Sequence, residues 1–168
     1  RSDNNIYSHA ECAFIAFKIA ELLKQAEVNA DDCVAFVCER SEWYLFNVLS
    51  VLSIGAVPVP IDNNLPDERI EFMIKDSNSK VIITDNENYN HLHDLFNDRI
   101  FVNVSGIVEE SIGTLSYLPV VYGNLAGILY TSGTTGMPKG VKITRKSVLN
   151  LAAHYVDAQK LTHDDIYA

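Results

Sequence analysis

The stretch Thr131–Gly140 reads TSGTTGMPKG and directly follows the apolar run Ala126–Tyr130. It holds three glycines, four hydroxyl side chains and one lysine in ten residues. Glycine lets the backbone adopt positive φ angles, so that several N–H groups can converge on an anion. The hydroxyl groups add neutral donors, and Lys139 adds a positive charge suited to a polyphosphate. A buried strand followed by such a loop predicts a phosphate-binding site.

Two other interpretations of the stretch can be weighed. The simpler is an ordinary surface turn, since glycine and threonine often mark turns. The more specific is a Walker A loop, which requires GxxxxGK followed by a Ser or Thr that binds magnesium. Gly133 and Gly136 are too close together for that motif, and Gly140 follows Lys139. The magnesium-binding hydroxyl is therefore missing, which argues against a Walker-type nucleotidase.

All ten positions resemble the signature [ST]SG[ST]TGxPKG of the adenylate-forming enzymes. This superfamily includes the amino-acid-activating domains of nonribosomal peptide synthetases, the acyl- and aryl-CoA ligases and the luciferases. The resemblance implies that the loop holds the β- and γ-phosphates of ATP. The residues concerned are Thr131, Ser132, Gly133, Thr134, Thr135, Gly136 and Lys139.

A second resemblance favours amino-acid activation. Residues 52–62, LSIGAVPVPID, followed by PDERI at 66–70, are similar to the peptide-synthetase run LKxGxAYVPIDPxxPxERI. Val34–Val37, followed by Arg40 and Ser41, is similar to VAIxxxRS of the same family. The chain departs from the family's usual residues at Ser53, Pro58 and Arg145. Gly55, Pro60 and Asp62 offer no group that phosphate chemistry needs, so we expect them to be structural.

The resemblance implies that residues 1–168 are an N-terminal portion of an adenylation domain. The parent enzyme would use ATP with Mg²⁺ to convert an amino acid to aminoacyl-AMP and pyrophosphate. The product would then load the phosphopantetheine thiol of a downstream carrier domain. The amino-acid pocket, the ribose-binding aspartate and the catalytic lysine come later in such enzymes. No catalytic residue or metal ligand is therefore assigned in this chain, and the isolated chain is expected to be inactive.

Two alternatives to amino-acid activation remain open. The parent could be an acyl- or aryl-CoA ligase of the same superfamily, which also activates a carboxylate with ATP. The chain could also be a non-catalytic fragment or pseudoenzyme that serves as an interaction module. ATP–pyrophosphate exchange by the complete protein separates both enzymes from the third possibility.

Composition limits the partners. The net charge is −9 and 48% of the residues are hydrophobic, which is typical of a globular domain. Nucleic acids and anionic membranes bind clustered basic residues, and no basic tract is present. A local group of cations flanks the loop: Lys139, Lys142, Arg145 and Lys146. For each of them except Lys139, a solvated charge at the start of a helix is an equal interpretation.

A cytoplasmic location is expected from the ends and the cysteines of the chain. The first five residues are polar, as a secretory signal is not, so either the protein is cytosolic or its targeting segment lies outside this chain. Cys12, Cys33 and Cys38 form no CxxC pair, and Cys33 and Cys38 lie in or beside an apolar run. His91 and His93 favour a solvated helix surface over a metal site.

Helix and strand signals alternate along the chain and predict an α/β fold, a mostly parallel sheet with helices on both faces. Ligands bind such sheets beyond the carboxyl ends of the strands, where the loop lies. Residues 104–124 are the least periodic segment, and we expect them to connect two parts of one sheet. The predicted helices cover 9–27, 42–52, 66–78, 87–96 and 146–159, and the strands 34–37, 57–61, 81–84, 99–102, 126–130 and 141–143.

Overall fold

The computed structural model describes residues 6–38, 41–107, 121–132 and 136–162. Helices and strands alternate as the sequence predicts. In chain order they are α1 (His9–Gln25), β1 (Cys33–Cys38), α2 (Glu42–Ser53), β2 (Val57–Asp62), α3 (Asp67–Asp76), β3 (Val81–Thr84), α4 (Asn86–Leu95), β4 (Ile100–Asn103), β5 (Leu125–Thr131), β6 (Lys139–Thr144) and α5 (Arg145–Gln159).

Local signals begin the helices where they were predicted. The Ser8 hydroxyl accepts a hydrogen bond from the Glu11 N–H at 3.2 Å, and the Glu11 carboxylate accepts one from the Ser8 N–H at 2.6 Å. This reciprocal capping box satisfies two amide donors that the first turn of α1 leaves unpaired. Helix α3 begins directly after Pro66, with Asp67 and Glu68 in its first turn.

Strands β1 to β4 form one parallel sheet in the order β2-β1-β3-β4. Alternate residues of β1 face opposite sides of it. Val34 and Phe36 pack with residues of α1 and α2, whereas Ala35 and Val37 pack with residues of α3 and α4. The prediction of a parallel sheet with helices on both faces is confirmed.

Strands β5 and β6 form a separate antiparallel sheet of two strands, so the prediction that residues 104–124 join two parts of one sheet is wrong. Strand β2 is the edge of the parallel sheet, and Pro58 and Pro60 lack the N–H that another paired strand would need. The β5–β6 hairpin packs against β2 instead. A Cβ atom on Gly127 would lie 3.2 Å from the Pro58 carbonyl oxygen.

Burial of α2 also differs from the prediction. The sequence of α2 is apolar around most of the helix, a pattern that predicts burial on several faces, but Leu45 is 52% exposed and Leu49 is 41% exposed. Only one face of α2 packs into the core, through Phe46, Asn47, Ser50 and Val51. Helix α5 has no buried residue at all. Periodicity identified these helices, but it could not show which faces are covered.

Within the described residues, no helix combines the length and the apolar character needed to cross a membrane.

Candidate functional site

The glycine-rich loop connects the two strands of the β5–β6 hairpin. The ladder ends with Tyr130 opposite Gly140 and Thr131 opposite Lys139. Side chains of directly opposed residues in an antiparallel pair project from the same face. The hairpin therefore closes the loop at residues 132–138 and brings Lys139 beside Thr131, although eight positions separate them in sequence.

Most of the described loop residues are accessible to solvent, and only Pro138 among them is buried. Ser132, Gly136 and Met137 are exposed. Gly136 has φ +89°, a conformation that other residues rarely adopt, and an added Cβ would meet nothing within 4 Å. Glycine is thus required there for the backbone conformation rather than for space. Strand β5 continues one residue beyond the predicted end, to Thr131.

The structure brings four of the predicted phosphate-binding residues to one end of the hairpin: Thr131, Ser132, Gly136 and Lys139, all exposed. The other three, Gly133, Thr134 and Thr135, lie outside the described residues.

An open cavity of about 700 Å³ adjoins the start of the loop. It lies where the carboxyl ends of β1 and β2 face the end of β5. Its lining residues are Cys38, Ser41, Tyr44, Pro60, Ile61, Asp62, Leu65, Arg69, Met73, Leu129, Tyr130, Thr131, Ser132 and Pro138. Its position agrees with the rule that ligands bind beyond the carboxyl ends of parallel strands.

The wall of the cavity carries a cation that was not singled out from the sequence. Arg69 lies in the first turn of α3, and its side chain is exposed. Arginine is suited to phosphate because its planar group presents several N–H donors. Only the run that resembles PxERI drew attention to this segment, and no spacing rule relates Arg69 to a loop more than sixty positions away.

The residues expected to be structural have structural roles in this arrangement. Gly55 has φ +81° in the turn between α2 and β2. Pro60 lies in the edge strand β2. The Asp62 carboxylate lines the cavity, but one of its oxygens accepts hydrogen bonds from the Asn64 backbone N–H at 2.9 Å and from the Asn64 side-chain amide at 3.1 Å. Asp62 therefore stabilises its own turn.

The cations beside the loop differ in their roles. Arg145 is half-buried, and its guanidinium donates to the carbonyls of Leu125 at 3.2 Å and Leu52 at 3.0 Å. It therefore joins the hairpin to α2, and these carbonyls occupy part of its donor capacity. Lys139, Lys142 and Lys146 are exposed.

His91 is exposed on a helix, whereas the thiols of Cys33 and Cys38 are partly buried. His91 lies on the exposed surface of α4, within 2.9 Å of the Asp67 carboxylate. Cys33 and Cys38 form no disulfide and are partly buried against the two core clusters, as small hydrophobic residues are.

Tyr130 joins the beginning of the loop to α3. Its hydroxyl lies 2.7 Å from the Asp76 carboxylate and 3.1 Å from the Met73 carbonyl oxygen. Burial raises the pKa of the Tyr130 phenol above its usual value, and the hydrogen bond to Asp76 raises it further. The hydroxyl consequently keeps its proton and acts as a donor. Sequence patterns did not reveal this contact, because its partners are more than fifty positions away.

The chain belongs to the family of AMP-binding enzymes, whose family model matches residues 2–168. The resemblance first seen in the loop therefore extends along the whole chain.

Similar proteins include peptide synthetases. The chain is 31% identical over 147 residues to gramicidin S synthase 2 of Brevibacillus brevis, and the matched region covers 86% of this chain and 3% of that protein. The chain spans from 2% to 15% of the length of the curated relatives that it matches most strongly.

Solved structures share the fold. A four-domain nonribosomal peptide synthetase, AB3403, bound to AMP and glycine, is 25% identical with a TM-score of 0.75, over 93% of this chain and 11% of that one. The o-succinylbenzoate CoA synthetase of Bacillus subtilis, in complex with its acyl-adenylate intermediate, is 23% identical with a TM-score of 0.73, over 97% of this chain and 43% of that one.

Proposed function

We propose that the protein carrying this chain activates an amino acid with ATP, forming aminoacyl-AMP and pyrophosphate. The observation that carries the proposal is the closed hairpin loop, which presents Thr131, Ser132, Gly136 and Lys139 to solvent at the edge of a cavity. Gly133, Thr134 and Thr135 complete the proposed phosphate-binding set. The similarity to peptide synthetases favours an amino acid as the substrate.

The chemistry proposed for these residues is binding of the leaving group. The substrate carboxylate attacks the α-phosphorus of MgATP, the bond to the bridging oxygen breaks, and pyrophosphate leaves. No protein nucleophile takes part, so the loop contributes by positioning the phosphates and neutralising their charge. Hydroxyl and backbone donors with one mobile lysine suit this role. We further propose that the adenylate is transferred to the phosphopantetheine thiol of a carrier domain.

The proposal also explains why the chain alone is expected to be inactive. The loop supplies contacts to the leaving pyrophosphate only. Acceleration of adenylate formation also requires groups around the α-phosphate and a carboxylate held in line with it. None of the residues singled out in the described part of the chain has either role.

The test is ATP–pyrophosphate exchange by the complete protein with a panel of amino acids. Lys139→Ala should reduce exchange by about a hundredfold, because a cation that offsets phosphate charge in the transition state is lost. Lys80→Ala is the matched control: Lys80 is an exposed lysine just before β3, at the amino end of the sheet. Equal activity of the two variants would remove Lys139 from the site.

A CoA ligase is the second candidate function, and the fold shared with o-succinylbenzoate CoA synthetase favours it. The same assay separates the two candidates when aryl and acyl carboxylates are added to the panel. Exchange with these acids and with no amino acid would assign the protein to the ligases. Absence of exchange with every carboxylate would contradict both and favour an interaction module.

A further inference from the structure

We propose that Tyr130 is a positioning residue, which orients the phosphate-binding loop through the hydrogen bonds of its hydroxyl to α3. The inference rests on the proposed function, since it assigns a role in ATP binding to a residue that does not itself belong to the loop. Tyr130 is the last residue but one of β5, immediately before Thr131 and Ser132.

The part of α3 that accepts the hydrogen bonds of Tyr130 is held rigidly. The C-terminal half of α3 provides both acceptors, the Asp76 carboxylate and the Met73 carbonyl. Met73 and Ile74 are buried in the core cluster on that face of the parallel sheet. A hydrogen bond to an ionised acceptor is roughly twice as strong as one between neutral groups. The beginning of the loop is thereby tied to an element that the core holds in place.

The Tyr130 ring packs against the other strand of the hairpin. Gly140 pairs with Tyr130 across the ladder. A Cβ atom on Gly140 would lie 3.2 Å from the Cε1 and Cζ atoms of the Tyr130 ring. The ring thus occupies the space that a side chain at position 140 would need. Since Gly140 directly follows Lys139, the position of the ring is coupled to both ends of the loop.

Tyr130 also lies in the wall of the cavity. Arg69 and Met73 of α3 line the same cavity as Tyr130 and Ser132. The hydroxyl of Tyr130 therefore holds α3 and the loop together along one wall. If this bond is lost, the fraction of molecules with a correctly placed loop falls. The apparent affinity for the phosphates falls by the same factor.

The test uses Tyr130→Phe in the complete protein, which keeps the ring and removes only the hydroxyl. We expect the KM for MgATP and for pyrophosphate to rise about tenfold, the usual effect of losing a charged hydrogen bond. The KM for the carboxylate substrate should not change. A role in stability alone would lower the amount of active protein and leave every KM unchanged.

Tyr7→Phe is the matched control. The Tyr7 hydroxyl also donates to a carboxylate, that of Glu42, at 3.3 Å, on the α1–α2 side of the parallel sheet. Asp76→Ala should reproduce part of the effect of Tyr130→Phe, because the Met73 carbonyl remains as an acceptor, and the double variant should be no worse than Tyr130→Phe alone. Asp76→Asn, which keeps an acceptor, should restore part of the affinity.

Each outcome decides between the proposals. A KM for MgATP within twofold of wild type in Tyr130→Phe, or a loss of activity with every KM unchanged, would overturn the role of Tyr130. If wild type shows no exchange with any carboxylate, the proposed function fails. ATP affinity measured by calorimetry on wild type and Tyr130→Phe then tests the positioning role. A wild-type protein that binds no ATP would overturn both proposals.

Discussion

At the scale of single residues, three side chains in or near the candidate site are fixed by hydrogen bonds to other groups of the protein. Tyr130 bonds to α3, Arg145 bonds to α2 and β5, and Asp62 holds its own turn. Lys139 differs from them, because its side chain is exposed beside Thr131. Lys142 and Lys146 are exposed as well, but Lys139 is the one opposite Thr131 at the loop end of the hairpin.

The raised pKa of the Tyr130 phenol predicts how stability depends on pH. When a phenol has a higher pKa in the folded state than in the unfolded state, the unfolded chain ionises first, at about pH 10. The free energy of unfolding of the protein then decreases as the pH rises. The contribution of Tyr130 to the free energy of unfolding is therefore constant below about pH 10 and falls above that pH. The carboxylate of Asp76 opposes ionisation of the neighbouring phenol.

Urea unfolding of wild type and Tyr130→Phe from about pH 8 to about pH 11 tests this prediction. The pKa values of Tyr7 and Cys33 are also raised, so both proteins should lose stability in alkali. The loss should be smaller in the variant. Parallel curves for the two proteins would show that Tyr130 ionises as easily in the fold as in the unfolded chain.

At the scale of secondary-structure elements, the hairpin depends on contacts to the parallel sheet and its helices. Arg145 contributes two of them, to the carbonyls of Leu52 and Leu125. Further contacts run from the Val121 N–H to the Ser53 carbonyl at 3.0 Å and from the Asn124 N–H to the Asp31 carboxylate at 3.0 Å. These bonds hold the entrance of β5 against the end of α2 and against the turn that precedes β1.

Arg145→Met should loosen the hairpin, since the side chain keeps most of its length and loses both charged hydrogen bonds. Bonds of this kind are worth about 1.5–3 kcal/mol each, so local opening should become more frequent by about tenfold or more. Hydrogen exchange of the amides in β5 and β6 measures this opening in the complete protein. Lys146→Met, the same change at the exposed neighbour, should leave these rates unaltered. Equal rates in both variants would contradict the role of Arg145.

At the scale of the whole molecule, apolar surface is concentrated on α5. Leu149 is 69% exposed and Leu151 is 66% exposed, and Val148, Tyr155 and Val156 are exposed as well. Exposed apolar side chains grouped on one helix favour association with other protein. In isolation, the 168-residue chain is therefore expected to self-associate and to catalyse no ATP–pyrophosphate exchange.

Sedimentation velocity of the isolated chain tests the first expectation. Leu149→Glu with Leu151→Glu should shift the chain towards monomer, because charge on the apolar face opposes association. Asn150→Glu with His154→Glu adds the same charge on the same helix and should shift it less. Exchange assays with a full amino-acid panel test the second expectation, and turnover above background would contradict it.

The sequence alone was sufficient to identify the element types, the parallel sheet and the phosphate-binding signature. These follow from short-range patterns: the spacing of apolar residues, the capping signal at Ser8 and the composition of residues 131–140. The family model supports the resemblance drawn from those patterns. The assignment of individual loop residues to the phosphates remains a prediction.

Only the tertiary structure decided that β5 and β6 stand apart from the parallel sheet and that Tyr130, Asp76 and Arg69 lie near the loop. Contacts of this kind join residues separated by fifty positions or more, and no local periodicity records which pairs will meet. The edge prolines Pro58 and Pro60 were visible in the sequence. Their consequence appeared only once β2 was known to be an edge strand, because a missing N–H matters only where a neighbouring strand would need it.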